Sequence, residues 1–327
     1  MTDGTMASPD PGRAPSTEDR YRKIVDQLLA RCSAAGSAHP TAEDLAHWMA
    51  AHKDGWSRST WRQYRAACAA LFGPDFKKML DELPAGESLR RGIRTSALKR
   101  KRIPPQDLGR LIKQLGKINK DSAKMAILML VCGIVTGLRP SEWKSAKLIR
   151  STDGSVHLDV INAKATYGRA HGPCRTIWLP TSDPVLFQWL TCLLTIVGHL
   201  NSSDNFERTL AAARKALQRA NRTLWPDREE TYSFYSCRHQ ACANWKANGF
   251  LVTEIAALMG HRSQDTATTH YGRRSAGRSS VYPGQETIIV RADSEDVARV
   301  RSFELSRQSR RALEGDLEPL ASSPAPW

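Results

Sequence analysis

Cys-x-x-Cys pairs are absent from this 327-residue chain: its seven cysteines are scattered singly, an odd number. That argues against a disulfide framework and for reduced thiols, as in a cytoplasm. No His/Cys cluster has zinc spacing. Cys237 and Cys242 straddle His239 as helix-packing residues do, so no metal is expected. Long apolar runs are missing too. The longest uncharged ones, Met125–Leu138 and Leu186–Leu200, read as buried helices too short to span a bilayer. The polar, Pro/Ser-rich start carries no apolar stretch behind basic residues, so no secretory signal is expected. No internal repeat is evident. Acidic residues are in deficit, 33 Asp+Glu against 48 Lys+Arg, and the resulting +15 calls for a polyanionic partner rather than a membrane.

What is present divides along the chain. Residues 1–16 are rich in Pro, Gly and Ser and are expected to be disordered. Residues 17–84 read as an all-α module of four short helices, at about 18–34, from Thr41 (TAED is a capping box), from Ser57 or Ser59 to Phe72, and 75–82. On the third helix Trp61, Tyr64, Ala67, Cys68 and Leu71 face inward. Arg58, Arg62 and Arg65 face outward, as a helix touching DNA backbone would require. Residues 85–104 form a basic linker; Lys99, Arg100, Lys101 and Arg102, with Arg90, Arg91 and Arg94 before them, suit a strap crossing phosphates.

From Pro105 to 275 the pattern is again helical, at about 105–117, 121–136, 140–147, 183–199 and 205–223, interrupted by one β-hairpin at 155–180. The fold class is therefore mainly α with a small β-hairpin or sheet. Residues 276–327 form a tail with a strand expected at 287–290 and an Arg-rich helix. This tail is expected to be partly disordered or to serve contacts between protomers.

The most informative segment runs from Tyr235 to Tyr271. Arg238 stands near the start of a helix that Gly249 stops. A short helix with Ile255, Leu258 and Met259 inward ends at Gly260, leaving His261 at a helix-to-loop corner. Tyr271 follows ten positions later, past Ser263 and Asp265, which suit the cap of a third helix. Such stops can fold the helices back so that Arg238, His261 and Tyr271 converge. Upstream, residues 136–142 read TGLRPSE, with Arg139 and Glu142. Between the two arginine segments the hairpin carries Lys164, with Arg169 and Arg175 as rivals for its role.

Arg238-His239, Met259-Gly260-His261, Tyr271, the TGLRPSE turn and the hairpin lysine occur in one order and separation. In these motifs, over roughly residues 17 to 275, the chain resembles the tyrosine recombinase (phage integrase) family. The resemblance implies an N-terminal core-binding module and an α+β catalytic domain that cleaves and rejoins duplex DNA through a 3′-phosphotyrosine, with neither metal nor ATP. It implies Arg139, Lys164, Tyr235, Arg238, His261 and Tyr271 as the catalytic set. It also implies a homotetramer on DNA, accessory DNA-bending proteins and a cytoplasmic, nucleoid-associated location. One position departs from the family pattern. Three residues before the second arginine the family carries His or Lys, and here stands Tyr235, a phenol and a poor general base at neutral pH. Which group takes the proton of Tyr271 is thus open.

The chemistry suits these residue types. A phenolate can attack phosphorus reversibly, and the planar fork of arginine binds two phosphate oxygens. A lysine among arginines can protonate the leaving oxygen. Glu142 is expected to pair with an arginine, and His239 and His270 to pack locally. Tyr232 and Tyr282 match no motif. Two other readings stand beside this one. A type IB topoisomerase would relax supercoils as a monomer, and a catalytically silent DNA-binding regulator would form no covalent adduct.

Overall fold

The computed structural model describes residues 15–36, 39–83, 98–163, 165, 170–180, 183–265, 271–280 and 290–315. They fall into two units, residues 1–94 and 95–327. The first is all-α: α1 (Pro15–Ala34), α2 (Ala42–Ala51), α3 (Arg58–Phe72) and α4 (Asp75–Glu82). Sequence chemistry sets the boundaries. The Thr41 hydroxyl accepts from the Asp44 amide while the Asp44 carboxylate accepts from the Thr41 amide, closing a capping box before α2. The Ser57 hydroxyl caps α3 by accepting from the Thr60 amide at 3.2 Å. Val25, Leu28, Leu45, Met49, Trp61, Cys68, Phe76 and Leu80 make its core. Each large side chain sealed there contributes about 1.5–3 kcal/mol. Helix α1 begins at Pro15, inside the stretch expected to be disordered.

The second unit is mainly helical with one small sheet, the class expected. Its helices are α5 (Pro105–Gly116), α6 (Asp121–Thr136), α7 (Pro184–Ser202), α8 (Phe206–Leu224), α9 (Phe234–Ala247), α10 (Val252–Leu258) and α11 (Ser294–Gly315). Helix α6 is apolar on all sides and buried almost throughout, packed against α5, α7, α8 and α9. Four antiparallel strands run in the order β1 (Lys147–Arg150), β2 (Val156–Ile161), β3 (Cys174–Leu179) and β4 (Arg291–Ala292). In the hairpin Leu158 faces Ile177 and Asp159 faces Thr176.

Several expectations need correcting. The helix expected at 140–147 is a short 3-10 turn, Glu142–Lys144, followed by β1. Pro140 cannot extend α6, and Lys147–Arg150 is an edge strand too short to show a period. A short strand lies at 291–292, and of the strand expected at 287–290 residues 287–289 lie outside the described ones. Residues 98–103, placed by sequence in the linker, are bound into the second unit. Arg100 N–H donates to Thr231 O at 3.0 Å, Thr231 N–H to Leu98 O at 2.8 Å, and Ile103 is fully buried. Residues 290–315 likewise belong to this unit, through β4 on β3 and α11 against α10. Helix α7, 19 residues, is long and apolar enough by length and composition to cross a membrane, longer than the run Leu186–Leu200 suggests. Its Leu186, Leu190, Leu193 and Val197 join the core of the unit.

Candidate active site

Three turns deliver the site. Helix α6 ends at Gly137, in the left-handed region at φ 65°, where a Cβ would stand 2.6 Å from the ring of Trp245. That glycine turns the chain so that Leu138 and Arg139 run back beside α9. Helix α10 ends in a Schellman turn: Gly260 N–H donates to Ala257 O at 2.9 Å and His261 N–H to Ala256 O at 2.8 Å. Gly260 has φ 63°, and a Cβ there would collide with the Asn162 amide oxygen and crowd Arg175. Past the loop, Gly272 lies against the His239 carbonyl and accepts from Lys246 Nζ at 3.1 Å, which holds the chain after Tyr271 on α9.

At the centre is the Glu142 carboxylate, 1 % exposed. Arg139 donates to it twice, from its amide to Oε2 at 2.7 Å and from Nη1 to Oε1 at 2.5 Å. Arg175, on β3, donates from Nη2 to Oε2 at 2.8 Å and from Nη1 to Oε1 at 3.3 Å. Arg238, on α9, brings Nη1 to 3.8 Å from Oε2. Burial would raise the pKa of this carboxyl, but the charges of Arg175, Arg238 and Arg139 outweigh it and hold the group well below the usual carboxylate range.

Arg238 is fully buried. Its Nη1 donates to Gly137 O at 2.7 Å, its Nη2 to Met259 O at 2.5 Å, and its Nε to the Tyr271 hydroxyl at 3.3 Å. Burial and the neighbouring Arg139 lower its pKa to about 10, which leaves it charged at neutral pH. Its Nη2 also lies 3.1 Å from His261 Nε2. Arginine has no lone pair to offer, so that histidine nitrogen is assigned as the acceptor and Nδ1 carries the proton. Nδ1 is buried without a hydrogen-bond partner among the described residues. Burial first, then Arg238 and Arg139, push the His261 pKa down to about 2, so the ring is neutral. The Tyr271 ring lies between two imidazoles, 5.2 Å from His261 and 4.9 Å from His239.

The structure thus brings Arg139, Arg238, His261 and Tyr271 together around Glu142. It leaves Tyr235 apart: one helical turn before Arg238, it is 41 % exposed, with Lys99 Nζ 6.0 Å from its ring. Lys164 and His270 lie outside the described residues, as do Arg169 and Tyr282. Next to Lys164, the Ala163 amide donates to Glu142 Oε1 at 3.3 Å. Tyr232 is no rival nucleophile. It is buried with its hydroxyl donating to Asp107, and burial followed by that carboxylate raises its pKa to about 12.

Two residues escaped the sequence reading as parts of the site. His239 does more than pack locally, since it forms one wall of the Tyr271 ring; burial and then Lys101 push its pKa down to about 4. Arg175, a rival for the role of Lys164, is sealed under the site with both terminal nitrogens on Glu142 and Asn162. Its position was readable, because Arg175, Ile177 and Leu179 alternate on the inward face of β3.

The residues expected to meet DNA sit differently from one another. Arg58 and Arg62 are exposed on α3, whereas Arg65 is tied to both oxygens of Asp81 at 2.7 Å. Lys99, Lys101 and Arg102 are exposed, and half-buried Arg100 pairs with Glu230 at 3.6 Å.

No family model and no curated protein matches the chain. Solved structures that resemble it include the XerA recombinase, 17% identical, covering 81% of this chain and 90% of that one with a TM-score of 0.36. The XerH site-specific recombinase bound to a palindromic difH substrate in a post-cleavage complex is 13% identical, covering 81% and 76% with a TM-score of 0.43. The Tn1549 transposon integrase in complex with a circular intermediate DNA is 13% identical, covering 80% and 91% with a TM-score of 0.45. At these identities and TM-scores the likeness assigns no residue a role.

Proposed function

We propose that this chain is a tyrosine-type site-specific DNA recombinase or integrase that cleaves and rejoins duplex DNA. The observation that carries the reading is the convergence of a phenol and two buried guanidiniums: Arg238 Nε stands 3.3 Å from the Tyr271 hydroxyl, and Arg139 and Arg238 share Glu142.

In this reading the Tyr271 oxygen attacks the scissile phosphorus and passes its proton to solvent. The P–O5′ bond breaks, and the departing oxygen takes a proton from Lys164. The products are a 3′-phosphotyrosine and a free 5′-hydroxyl, and reversal rejoins the strand. Arg139 and Arg238 bind the non-bridging oxygens, where charge grows during attack. His261, being neutral, acts as a hydrogen-bond partner rather than a cation, and Tyr235 serves only as support. The net charge of +15 supports double-stranded DNA as partner, met in part by Arg58, Arg62, Lys99, Lys101 and Arg102. Strand exchange between two duplexes takes four protomers and four cleavages, and no cofactor.

One observation favours a different reading, a silent DNA-binding regulator. All three Arg238 nitrogens are engaged within the protein, so a phosphate must displace at least one of those contacts. A covalent trap decides between the readings. Wild type and Tyr271→Phe are each incubated with total genomic DNA that includes the protein's own gene. Protein-linked fragments are then recovered under denaturing conditions and their ends sequenced. Discrete ends bonded to wild type alone, with DNA binding retained in the variant, are the expected result. DNA binding by both proteins with no linked ends would establish the regulator. Linkage at scattered positions, with relaxation of a plasmid lacking any site, would establish a topoisomerase.

A further inference from the structure

We propose that Arg175 is a positioning residue of this site: it cancels the charge of Glu142, so that Arg139 and Arg238 present their full positive charge to the phosphodiester. The inference rests on the cleavage reading above.

Arg175 is 2 % exposed and reaches no solvent-facing part of the site. Its nitrogens bind both oxygens of Glu142, and Nη1 also meets the Asn162 oxygen. A buried guanidinium is expensive, and a leucine or methionine would fill such a strand position without that cost. Something other than packing must account for it.

The carboxylate supplies the reason. Glu142 orients Arg139 through two hydrogen bonds, which fixes where the fork points. Yet its negative charge sits among the groups meant to hold an anion. Arg139, Arg238 and Glu142 alone sum to +1; with Arg175 the sum is +2, and His261 adds nothing. A phosphodiester carries −1 at rest and gains more negative charge as a phenolate attacks, so the missing unit would be felt most in the transition state. Arg175 lets the protein use a carboxylate as an orienting device without its electrostatic penalty. The same side chain also steadies the base of the hairpin. Asn162, bound by Arg175, donates from Nδ2 to Gly172 O at 2.9 Å, and its amide donates to Pro173 O at 2.8 Å.

The test uses a nicked duplex centred on the phosphate recovered in the trap, made with either a normal or a methylphosphonate linkage at that position. Methylphosphonate replaces a charged oxygen by methyl and is neutral. The quantity read is the ratio of single-turnover adduct rates, phosphate over methylphosphonate, for full-length protein. For Arg175→Gln the phosphate rate is expected to fall about a hundredfold and the ratio at least about tenfold. Arg175→Lys, which keeps the charge and loses the fork, is expected to keep the wild-type ratio. An Arg175→Gln ratio equal to wild type, whatever the absolute rates, would overturn the proposal, because a packing residue affects both linkages alike.

Should Arg175→Gln fail to melt cooperatively, the Glu142→Gln/Arg175→Gln double variant takes its place. It restores +2 with no unpaired carboxylate. Its ratio is expected to match wild type, and a tenfold fall would overturn the proposal. Failure of the wild type to form any adduct would instead sink the cleavage reading itself.

Discussion

The two units treat arginine in opposite ways. On α3 the N-terminal unit carries Arg58 and Arg62 in water, above a core of Trp61, Ala67 and Cys68. The second unit seals Arg139, Arg175 and Arg238 around one carboxylate. The same side chain thus does two jobs. In water its field is screened and its position loose, which suits attraction to a polyanion without choosing an atom. Sealed, it is unscreened and fixed to fractions of an ångström, at a desolvation cost that only its partners offset. A phosphate clamp needs the second kind.

The contrast breaks most completely if the shared carboxylate is removed. Glu142→Ala leaves three buried guanidiniums without a counter-ion and is expected to destabilise the second unit by about 3–5 kcal/mol. The measurement is the denaturant midpoint of full-length protein. A loss under about 1 kcal/mol would mean that water reaches these arginines.

Gly260→Ala comes next. The left-handed φ costs about 1 kcal/mol, and the collision with Asn162 and Arg175 adds to it, for an expected total of about 2–3 kcal/mol. Combining it with Asn162→Ala should return part of that loss, since the two side chains compete for one space. Strict additivity in the double variant would show that the turn strains locally and never presses on the hairpin.

Acid sharpens the same comparison. His261 and His239 have pKa values depressed from 6.5 to about 2 and about 4, so below pH 6.5 the unfolded chain takes up protons that the folded site refuses. Stability is therefore full above about pH 6.5. It is expected to fall by about 1.4 kcal/mol per pH unit for each histidine as the pH drops toward 4. Substituting His261 by Gln should flatten the profile, as followed by chemical denaturation at several pH values.

The smallest effect belongs to the exposed arginines. Arg58→Ala and Arg62→Ala are each expected to lower the slope of log K against log salt by about 1, with unfolding unchanged within about 0.5 kcal/mol. An unchanged slope would place α3 away from DNA.

Much of the site could be seen in the sequence because its determinants are local. Gly137, Gly249 and Gly260 stop helices where a left-handed residue must stand, and they deliver Arg139 and His261 to turns at predictable positions. The capping box at Thr41 worked for the same reason. What escaped depends on distant partners. Strand β1 went unread because four residues carry no period, and β4 exists only through its pairing with β3. His239 faces a tyrosine 32 positions later, and no spacing rule reveals that an imidazole will wall a phenol. The exposure of Tyr235 was equally hidden, since its neighbour Lys99 comes from a segment read as linker.

The bonds of Arg238 also have a consequence in time. They join it to Gly137, 101 positions earlier, and to Tyr271, 33 positions later. On the ribosome the N-terminal helices have their whole core once Leu83 has emerged, and at ~5–20 residues per second the chain then grows for many seconds before Tyr271 appears. Throughout that interval the nascent chain carries the exposed arginines of α3 and no assembled pocket. Under the cleavage reading, a ribosome stalled in this stretch would hold a polypeptide able to attract nucleic acid and unable to cut it.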